Sequence, residues 1–227
     1  MTTACILVAA GRGDRLGQGV PKALRLLAGE PMLVHAARAA VASGVIDLVA
    51  VAAPPDEADD VRDLLKPHAP DLVVVAGGAT RAKSVAACLA ELPPSVDVVL
   101  VHDAARCLTP AALFAAVAGA VTDGADAVVP VLPVADTVKQ VDGEVVVATL
   151  DRSELRAVQT PQGFRRGVLE RAHSTVAADA TDDAGMVERT GLAVRVIPGH
   201  EEAFKVTRPL DLVLAEAVLA GRTDGRA

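Results

Sequence analysis

Glycines and two cations near the N-terminus form the first cluster with chemical potential. They follow an apolar run and comprise Gly11, Gly13 and Gly17, with Arg15 and Lys22 among and after them. A glycine-rich turn lets backbone N–H groups approach a phosphate closely. Cations beside the α-phosphate of a triphosphate would help to stabilise charge in a transition state. The segment therefore predicts a triphosphate site, with a tight turn and solvated basic side chains as the alternative.

The spacing in this loop does not fit two common phosphate-binding motifs. A dinucleotide fingerprint requires G-x-G-x-x-G, and Gly17 arrives one residue late for it. A P-loop requires G-x-x-x-x-G-K-[ST], whereas Pro21 precedes Lys22 and Ala23 follows it. A nicotinamide-dependent oxidoreductase is therefore a poor hypothesis for this chain.

A second glycine pair follows a later apolar run. Gly77 and Gly78 precede a stretch of helical composition that contains Arg81 and Ser84. Paired glycines beside a helix N-terminus can shape a pocket for a base or a phosphate. Such turns are more often only structural, so this motif alone is weak.

A carboxylate ends the next valine-rich run. Asp103 is well placed to hold Mg²⁺, which takes oxygen ligands and bridges triphosphate oxygens, and Arg106 could reach a second anion. A turn or capping aspartate is the alternative for Asp103. For His102 a packed, hydrogen-bonded imidazole is favoured over a catalytic one.

The elements that must position these residues alternate along the chain. Val-rich runs predict buried strands at Ala4–Ala10, Leu48–Ala53, Leu72–Ala76, Val96–Val101 and Ala127–Leu132. Helices are predicted at Met32–Ala42, Asp56–Leu65, Arg81–Leu92 and Pro110–Val121, the last with an N-cap-like Thr109. This order indicates an α/β fold: a Rossmann-like, mostly parallel sheet with helices on both faces. The strand C-terminal ends then share one edge, where ligands bind in such sheets.

The alternation breaks after Pro133. Two β-prone runs, Thr137–Gln140 and Val145–Leu150, flank an Asp-Gly pair, which is a strong hairpin signal. We expect a projecting arm over residues 134–155 that pairs with another subunit, or else a solvent-exposed hairpin. The α/β pattern resumes with a helix near Arg166–Ala177, a strand at Ala193–Ile197 and a closing helix from Pro209. Residues 1–227 are predicted to form one domain with this arm.

Composition excludes several classes of function. The chain is 52% apolar with a net charge of −7 and has no Trp or Tyr, so it is predicted to be globular and without general affinity for nucleic acid or anionic membrane. Its three cysteines are scattered, which predicts neither a disulfide framework nor a zinc site. With no signal peptide or membrane-spanning run, the expected location is the cytoplasm.

Three polar clusters lie late in the chain. They are Thr160-Pro161-Gln162, Thr181-Asp182-Asp183 and Lys205-Val206-Thr207-Arg208-Pro209. Hydroxyls and a lysine would suit a phosphorylated alcohol, although turns and helix caps explain each cluster equally well. Neither a nucleophile elbow nor a metal-binding histidine pair is recognisable. Chemistry by positioning and charge neutralisation fits this set of residues best.

Taken in order, these motifs resemble the 2-C-methyl-D-erythritol 4-phosphate cytidylyltransferases over nearly the whole chain. The matching residues are Val8–Arg15, Pro21-Lys22, Gly77-Gly78 with Arg81 and Ser84, His102–Arg106, Asp136-Thr137, Thr160–Gln162 and Lys205–Pro209. The resemblance implies an Mg²⁺-dependent homodimeric enzyme of the non-mevalonate isoprenoid precursor pathway. Such an enzyme transfers CMP from CTP to the alcohol phosphate and releases pyrophosphate.

The resemblance also implies roles for individual residues. Arg15, Lys22 and Lys205 would be catalytic, and Asp103 would bind Mg²⁺. The nucleotide would contact Ala9, Ala10, Gly11, Gly13, Gly78, Arg81, Ser84, Asp103 and Ala104. The methylerythritol phosphate would contact Arg106, Thr160, Thr181 and Lys205, with Thr137 and Arg152 reaching a neighbouring subunit's substrate. Ala79 stands where some relatives have an acidic residue, so base recognition would rest on main-chain groups and Ser84.

Two alternatives remain at this stage. A ribitol 5-phosphate cytidylyltransferase shares the fold, the nucleotide and most motifs, and Lys205–Pro209 favours the methylerythritol enzyme only moderately. A nucleotide-sensing regulator without catalysis would keep the pocket. Retention of Arg15, Lys22 and Asp103 together argues against that regulator.

Overall fold

A central sheet of mostly parallel strands organises the molecule. The computed structural model describes residues 1–11, 13, 19–175 and 181–223. The strands are β1 (Thr2–Val8), β2 (Leu26–Leu27), β3 (Glu30–Pro31), β4 (Leu48–Ala53), β5 (Leu72–Ala76), β6 (Val96–Asp103), β7 (Ala127–Pro133), β8 (Lys139–Asp142), β9 (Val145–Thr149), β10 (Arg156–Val158), β11 (Gln162–Arg165) and β12 (Arg195–Pro198). The helices are α1 (Met32–Ala42), α2 (Ala58–Leu65), α3 (Arg81–Glu91), α4 (Ala111–Thr122), α5 (Arg166–Thr175), α6 (Asp183–Glu188) and α7 (Pro209–Thr223).

Strand order places a topological switch point beside β1. The main sheet has the order β10-β7-β11-β6-β1-β4-β5, with β12 paired to β7. The chain moves outward from β1 through β4 to β5 and then returns to the other side of β1 as β6. In the parallel β1–β6 pair Val8 lies opposite Asp103, so both strands end at the same point. Ligands bind in open α/β sheets at such a point.

Helices cover both faces of the sheet, as predicted. Side chains alternate along each strand, so β1 sends Cys5 and Leu7 to one face and Ala4 and Ile6 to the other. One face packs against α1, α2 and α4, and the opposite face against α3, α5 and α6. Helix α7 uses a smaller cluster, in which Ala215 packs with residues such as Leu27. The three cysteines are buried, and none of them forms a disulfide.

Several predicted boundaries shift by a few residues. Strand β1 spans Thr2–Val8, so Ala9 and Ala10 belong to the loop rather than to the strand. Helix α4 begins at Ala111 with Pro110 at its N-cap, and the predicted cap by Thr109 is wrong. The Thr109 hydroxyl instead donates to the carbonyl of Arg106. The second half of the predicted helix near Arg166–Ala177 lies partly outside the described residues.

The predicted hairpin is present as a two-stranded sheet of its own. Strands β8 and β9 pair antiparallel around Gly143 and share no strand pairing with the main sheet. Gly143 has a φ of +55°, a turn conformation that suits glycine. The valines of β9 are exposed, with Val145 at 66% and Val147 at 55%. The arm thus presents apolar surface away from the core.

Five of the strands and helices were not expected from the sequence: β2, β3, β10, β11 and α6. Strands β10 and β11 add antiparallel neighbours to β7, and β11 also pairs with β6. Helix α6 has only six residues. Each segment is too short to show a hydrophobic period of its own. In the described part of the chain, no helix is both long and apolar enough to cross a membrane.

Candidate active site

A cavity of about 660 Å³ opens at the switch point. The ends of β1 and β6, the turn after β5 and the start of α3 surround it. Its walls include Val8, Ala9, Ala10, Gly11, Gly13, Lys22, Ala23, Pro55, Gly77, Gly78, Ala79, Thr80, Arg81, Ser84, Asp103, Ala105, Lys205 and Thr207. Most of the predicted nucleotide-binding residues therefore share one cavity, although they come from distant parts of the sequence.

The glycine-rich loop brings Lys22 to one wall of this cavity. The N–H of Lys22 donates to the Gly11 carbonyl at 3.3 Å, so the chain returns to the start of the loop. Gly13 has a φ of +73°, and a Cβ there would lie 2.5 Å from the Cβ of Lys22. A glycine is required at this contact on both grounds. Arg15, the other predicted catalytic cation of this loop, lies outside the described residues.

The turn after β5 is shaped by Ser84. The N–H of Gly78 donates to Ser84 Oγ at 3.1 Å, and Ser84 Oγ donates to the Thr80 carbonyl at 3.0 Å. Ser84 is 1% exposed, so its hydroxyl mainly holds the turn in place. Gly78 and Ala79 line the cavity at this turn.

Adding a methyl group at Gly77 should disrupt this turn. Its Cβ would lie 2.3 Å from the Cβ of Ala10 and 3.0 Å from the carbonyl oxygen of Ala53, which are not flexible side-chain ends. We expect Gly77→Ala to lower the free energy of unfolding by about 1–3 kcal/mol and to raise the KM for CTP. Chemical denaturation and steady-state kinetics measure the two effects.

Gly119→Ala in α4 is the matched control for that variant. Nothing lies within 4 Å of a Cβ at Gly119, and the residue is inside a helix. Alanine should stabilise it by about 0.5–1 kcal/mol without changing the KM for CTP. Equal stabilities of the two variants would contradict the packing described at Gly77.

Asp103 is surrounded by cations at the end of β6. Its Oδ2 lies 2.7 Å from Lys205 Nζ and 4.0 Å from Arg106 Nε, and its Oδ1 lies 3.2 Å from Arg81 Nε. Burial alone would raise the pKa of Asp103, but the neighbouring cations outweigh burial and hold that pKa well below its usual range. Asp103 is therefore ionised at neutral pH. One carboxylate shared by three cations leaves the site with a net positive charge that suits a polyphosphate.

Two buried residues, His102 and Thr160, hold the backbone of Asp103 in place. Thr160 Oγ1 accepts from the N–H of Asp103 at 3.0 Å and lies 3.0 Å from His102 Nδ1. His102 Nε2 lies 3.3 Å from the Arg106 carbonyl, and its ring contacts Phe114 with centroids 4.8 Å apart. Burial lowers the pKa of His102 from 6.5 to about 4, so a neutral ring fills this position. The prediction of a packed histidine is confirmed.

This buried histidine should make stability depend on pH. Because its folded pKa of about 4 lies below the usual 6.5, the unfolded chain binds the proton more tightly between those values. Stability is therefore complete above pH 6.5 and is lost as pH falls toward 4. We expect the stability difference between wild type and His102→Gln to shrink by about 3 kcal/mol from pH 7 to pH 4. Urea unfolding across this range tests it, and parallel curves for both proteins would contradict it.

The predicted acceptor-binding residues are more dispersed than the nucleotide-binding ones. Lys205 lines the cavity, whereas Thr160 is 4% exposed and is engaged by His102 and Asp103. Arg106 lies behind Asp103 and donates to the carbonyls of Ala203 and Val158. Ala104 is buried, and its neighbour Ala105 lines the cavity instead. Of the described residues predicted to contact the acceptor, Lys205 is the one that lines the cavity.

Three predicted residues lie away from the cavity walls. Thr181 is exposed just before α6. Thr137 is exposed at the base of the arm, and the guanidinium of Arg152 donates to the Ala135 carbonyl there. Within one chain the structure does not bring Thr137 or Arg152 to the cavity.

Sequence reasoning did not assign a role to Asp183. Its side chain is fully buried, and it pairs with Arg81 and His173. Burial alone would raise the pKa of Asp183, but hydrogen bonds from His173 and Arg81 outweigh burial and lower it. The sequence shows the polar cluster Thr181-Asp182-Asp183. Because Arg81 and Asp183 are 102 residues apart, however, their pairing could not be predicted from the sequence.

The carboxylates in the described part of the chain fit a metal site that the phosphates of a nucleotide would complete. In the described ranges no group of three or more His, Cys, Asp or Glu side chains could enclose a metal ion. Mg²⁺ on a nucleotide needs only one or two carboxylates, because phosphate oxygens and water complete its octahedron. Asp103, at the cavity wall, provides one such carboxylate.

A cavity at the switch point of the sheet, lined by two glycine turns and Lys22, is typical of α/β proteins that bind nucleotides. A family model described as 2-C-methyl-D-erythritol 4-phosphate cytidylyltransferase matches residues 3–221. The chain belongs to that family, and the resemblance in its motifs is confirmed.

Individual relatives agree with the family match. A curated 2-C-methyl-D-erythritol 4-phosphate cytidylyltransferase of Streptomyces coelicolor is 62% identical, over 97% of this chain and 86% of its own. A crystal structure of the enzyme of that name from Thermus thermophilus is 36% identical with a TM-score of 0.79, covering 97% of this chain and all of that one. A 4-diphosphocytidyl-2C-methyl-D-erythritol synthase structure from Anaerococcus prevotii has a TM-score of 0.84 at 25% identity, covering 96% and 98%.

Proposed function

We propose that this chain transfers CMP from CTP to 2-C-methyl-D-erythritol 4-phosphate. The products are 4-diphosphocytidyl-2-C-methyl-D-erythritol and pyrophosphate, in the non-mevalonate route to isoprenoid precursors. The observation that carries the proposal is the cavity in which Lys22, Lys205 and Asp103 meet the glycine turns, in a chain that matches the family along almost its full length.

In this reaction the acceptor phosphate attacks the α-phosphorus of CTP in line with the departing pyrophosphate. Arg15 and Lys22 hold the triphosphate and stabilise the charge that develops on the α-phosphate. Lys205 moves from Asp103 to the acceptor phosphate, with Arg106 supporting the same charge. The acceptor phosphate is already ionised at neutral pH, so no strong general base is needed.

The proposal includes Mg²⁺ held by Asp103 and the triphosphate. When bound, the ion neutralises phosphate charge and favours departure of pyrophosphate. The protein's part is to present an ionised carboxylate at the cavity wall. The cations around Asp103 keep its carboxylate ionised. Lys205 can leave Asp103 and bind the substrate, because its side chain is 41% exposed.

A comparison of acceptors tests the proposed substrate. Purified protein with CTP and Mg²⁺ should release pyrophosphate with methylerythritol phosphate and much more slowly with ribitol 5-phosphate. Parallel reactions with ATP, GTP and UTP test the base. Faster turnover of ribitol 5-phosphate would overturn the acceptor, and nucleotide binding without pyrophosphate release would support a sensing protein instead.

The arm of residues 134–155 is proposed to join two copies of this single-domain chain. Its valines are exposed on a hairpin that projects from the main sheet, which is costly for an isolated chain. Pairing would cover them and would also let Thr137 and Arg152 reach the acceptor phosphate in the other subunit. This would supply the acceptor contacts that one chain lacks.

A charge placed on the arm should separate the two copies. Val141 and Val146 are cross-strand partners, 58% and 54% exposed. We expect Val146→Asp to shift the protein from dimer to monomer in sedimentation and to raise the KM for the acceptor. Val196→Asp on β12, where the valine is also 58% exposed, is the matched control and should stay dimeric. A wild-type protein that is already monomeric would contradict the proposed dimer.

A further inference from the structure

Arg81 is the cation that links the cavity to the buried interior. Its Nε donates to Asp103 at 3.2 Å, and its Nη1 donates to Asp183 at 2.5 Å. The side chain is 26% exposed, while Asp183 is fully buried. Two carboxylates on different elements therefore hold one guanidinium in a fixed orientation, which matches its planar, forked geometry.

The third nitrogen of that guanidinium has no acceptor. Arg81 Nη2 is buried and makes no hydrogen bond within the described part of the chain. An unpaired donor on a charged group is costly, and native structures seldom keep one without a reason. Arg81 also lines the cavity, and its side chain is 26% exposed, so a bound ligand can contact the exposed part of this side chain.

The late polar motifs explain how Asp183 is held in place. Gln162 Nε2 donates to Asp182 Oδ2 at 2.7 Å, and Gln162 Oε1 accepts from the Ala184 N–H at 3.2 Å. Asp182 Oδ1 also caps α6 by accepting from the Gly185 N–H at 2.9 Å. Strand β11 thereby fixes the first turn of α6, and with it the backbone of Asp183.

His173 completes the support from α5. Its Nε2 lies 2.9 Å from Asp183 Oδ1, and its side chain is 7% exposed. Among the described residues, Oδ1 of Asp183 contacts His173 and Oδ2 contacts Arg81. The carboxylate has no solvent access, and Arg81 connects it to the cavity.

We propose that Asp183 is a positioning residue for nucleotide binding, which holds Arg81 at the cavity wall and keeps it from collapsing onto Asp103. The proposal rests on the proposed roles of Arg81 and Asp103 in the nucleotide site. Without the charge of Asp183, Arg81 pairs with Asp103 alone and is no longer held in this orientation at the cavity wall.

The expected kinetic signature follows from where Arg81 acts. It lies on the Gly78 and Ser84 side of the cavity, so its contact is made in the ground state and in the transition state alike. Loss of such uniform binding raises KM and leaves kcat nearly unchanged. We expect Asp183→Asn to raise the KM for CTP by about 10- to 100-fold, the cost of one charge-assisted hydrogen bond. The KM for the acceptor should change by less than about twofold.

A double-mutant cycle separates positioning from general stability. If Asp183 acts through Arg81, then Asp183→Asn should have almost no further effect on the KM for CTP in an Arg81→Ala background. The double variant should also unfold less readily than Arg81→Ala alone, because it no longer buries a carboxylate that has lost its arginine partner. Additive effects on the KM for CTP would overturn the proposal.

The matched controls keep the test decisive. Asp60→Asn removes the same charge from the exposed face of α2 and should leave both KM values unchanged. If Asp183→Asn does not fold, His173→Gln provides a milder test, because the amide can still donate to Asp183, and the KM for CTP should then stay near the wild-type value. A wild-type KM for CTP in folded Asp183→Asn, or equal changes in both KM values, would overturn the role. A wild-type protein that transfers no CMP would instead refute the proposed function, and direct titration with CTP would still report on Arg81.

Discussion

Lys22→Ala should lower kcat by about 10²- to 10³-fold while leaving the fold intact. The side chain lines the cavity beside the glycine loop, where the proposed mechanism places the α-phosphate of CTP. A preorganised cation at that point acts more strongly on the transition state than on the bound substrate, so kcat is affected more than KM. Single-turnover release of pyrophosphate measures the chemical step directly.

Lys66→Ala is the control for the lost charge, since Lys66 is exposed at the end of α2. It should keep the wild-type kcat. Thermal unfolding of both variants checks that neither is disordered. A folded Lys22→Ala protein with the wild-type kcat would remove this lysine from the mechanism.

Asp103→Asn should separate nucleotide binding from turnover. The change removes the carboxylate that Lys205, Arg81 and Arg106 share, so the cavity becomes more positive. CTP without a divalent cation should bind at least as tightly as to wild type. Turnover should fall by about a hundredfold or more, because metal-assisted charge stabilisation amounts to several kcal/mol. Calorimetric titration in chelator and kinetics across Mg²⁺ concentrations give the two readouts.

The same change should also destabilise the protein. Breaking a buried ion pair by removing one partner costs about 3–5 kcal/mol. Asp126→Asn is the comparison, because it breaks a half-exposed pair with Arg165 and should cost less than about 1 kcal/mol. An Asp103→Asn protein with wild-type turnover and an unchanged Mg²⁺ requirement would contradict the role given to this carboxylate.

Local sequence patterns were sufficient for most of the framework. Long Val-rich runs predicted β4 and β5 at the bounds that the structure has, because strands buried on both faces are continuously apolar. The Asp-Gly pair predicted the arm, since that turn needs a positive φ. The nucleotide side of the cavity followed as well, because glycine turns at strand ends come together at one edge of a parallel sheet.

Contacts between distant segments could not be predicted in the same way. The pairing of Arg81 with Asp183 and of Thr160 with Asp103 depends on how β11 and α6 dock, and neither element has a periodic signature. Thr160 shows the consequence: its hydroxyl was assigned to the acceptor, yet it supports the backbone of Asp103. Arg106 likewise lies behind Asp103, where it donates to two carbonyls. Residue type alone does not distinguish a ligand contact from a supporting one.

The most direct test of the central claim is phosphorus NMR of the complete reaction. With CTP, methylerythritol phosphate and Mg²⁺, the account predicts loss of both substrate signals, growth of a diphosphodiester and one pyrophosphate for each CTP consumed. Omitting the acceptor should stop pyrophosphate formation. Inorganic phosphate in place of pyrophosphate, or CTP consumption that does not depend on the acceptor, would contradict transfer of CMP by this chain.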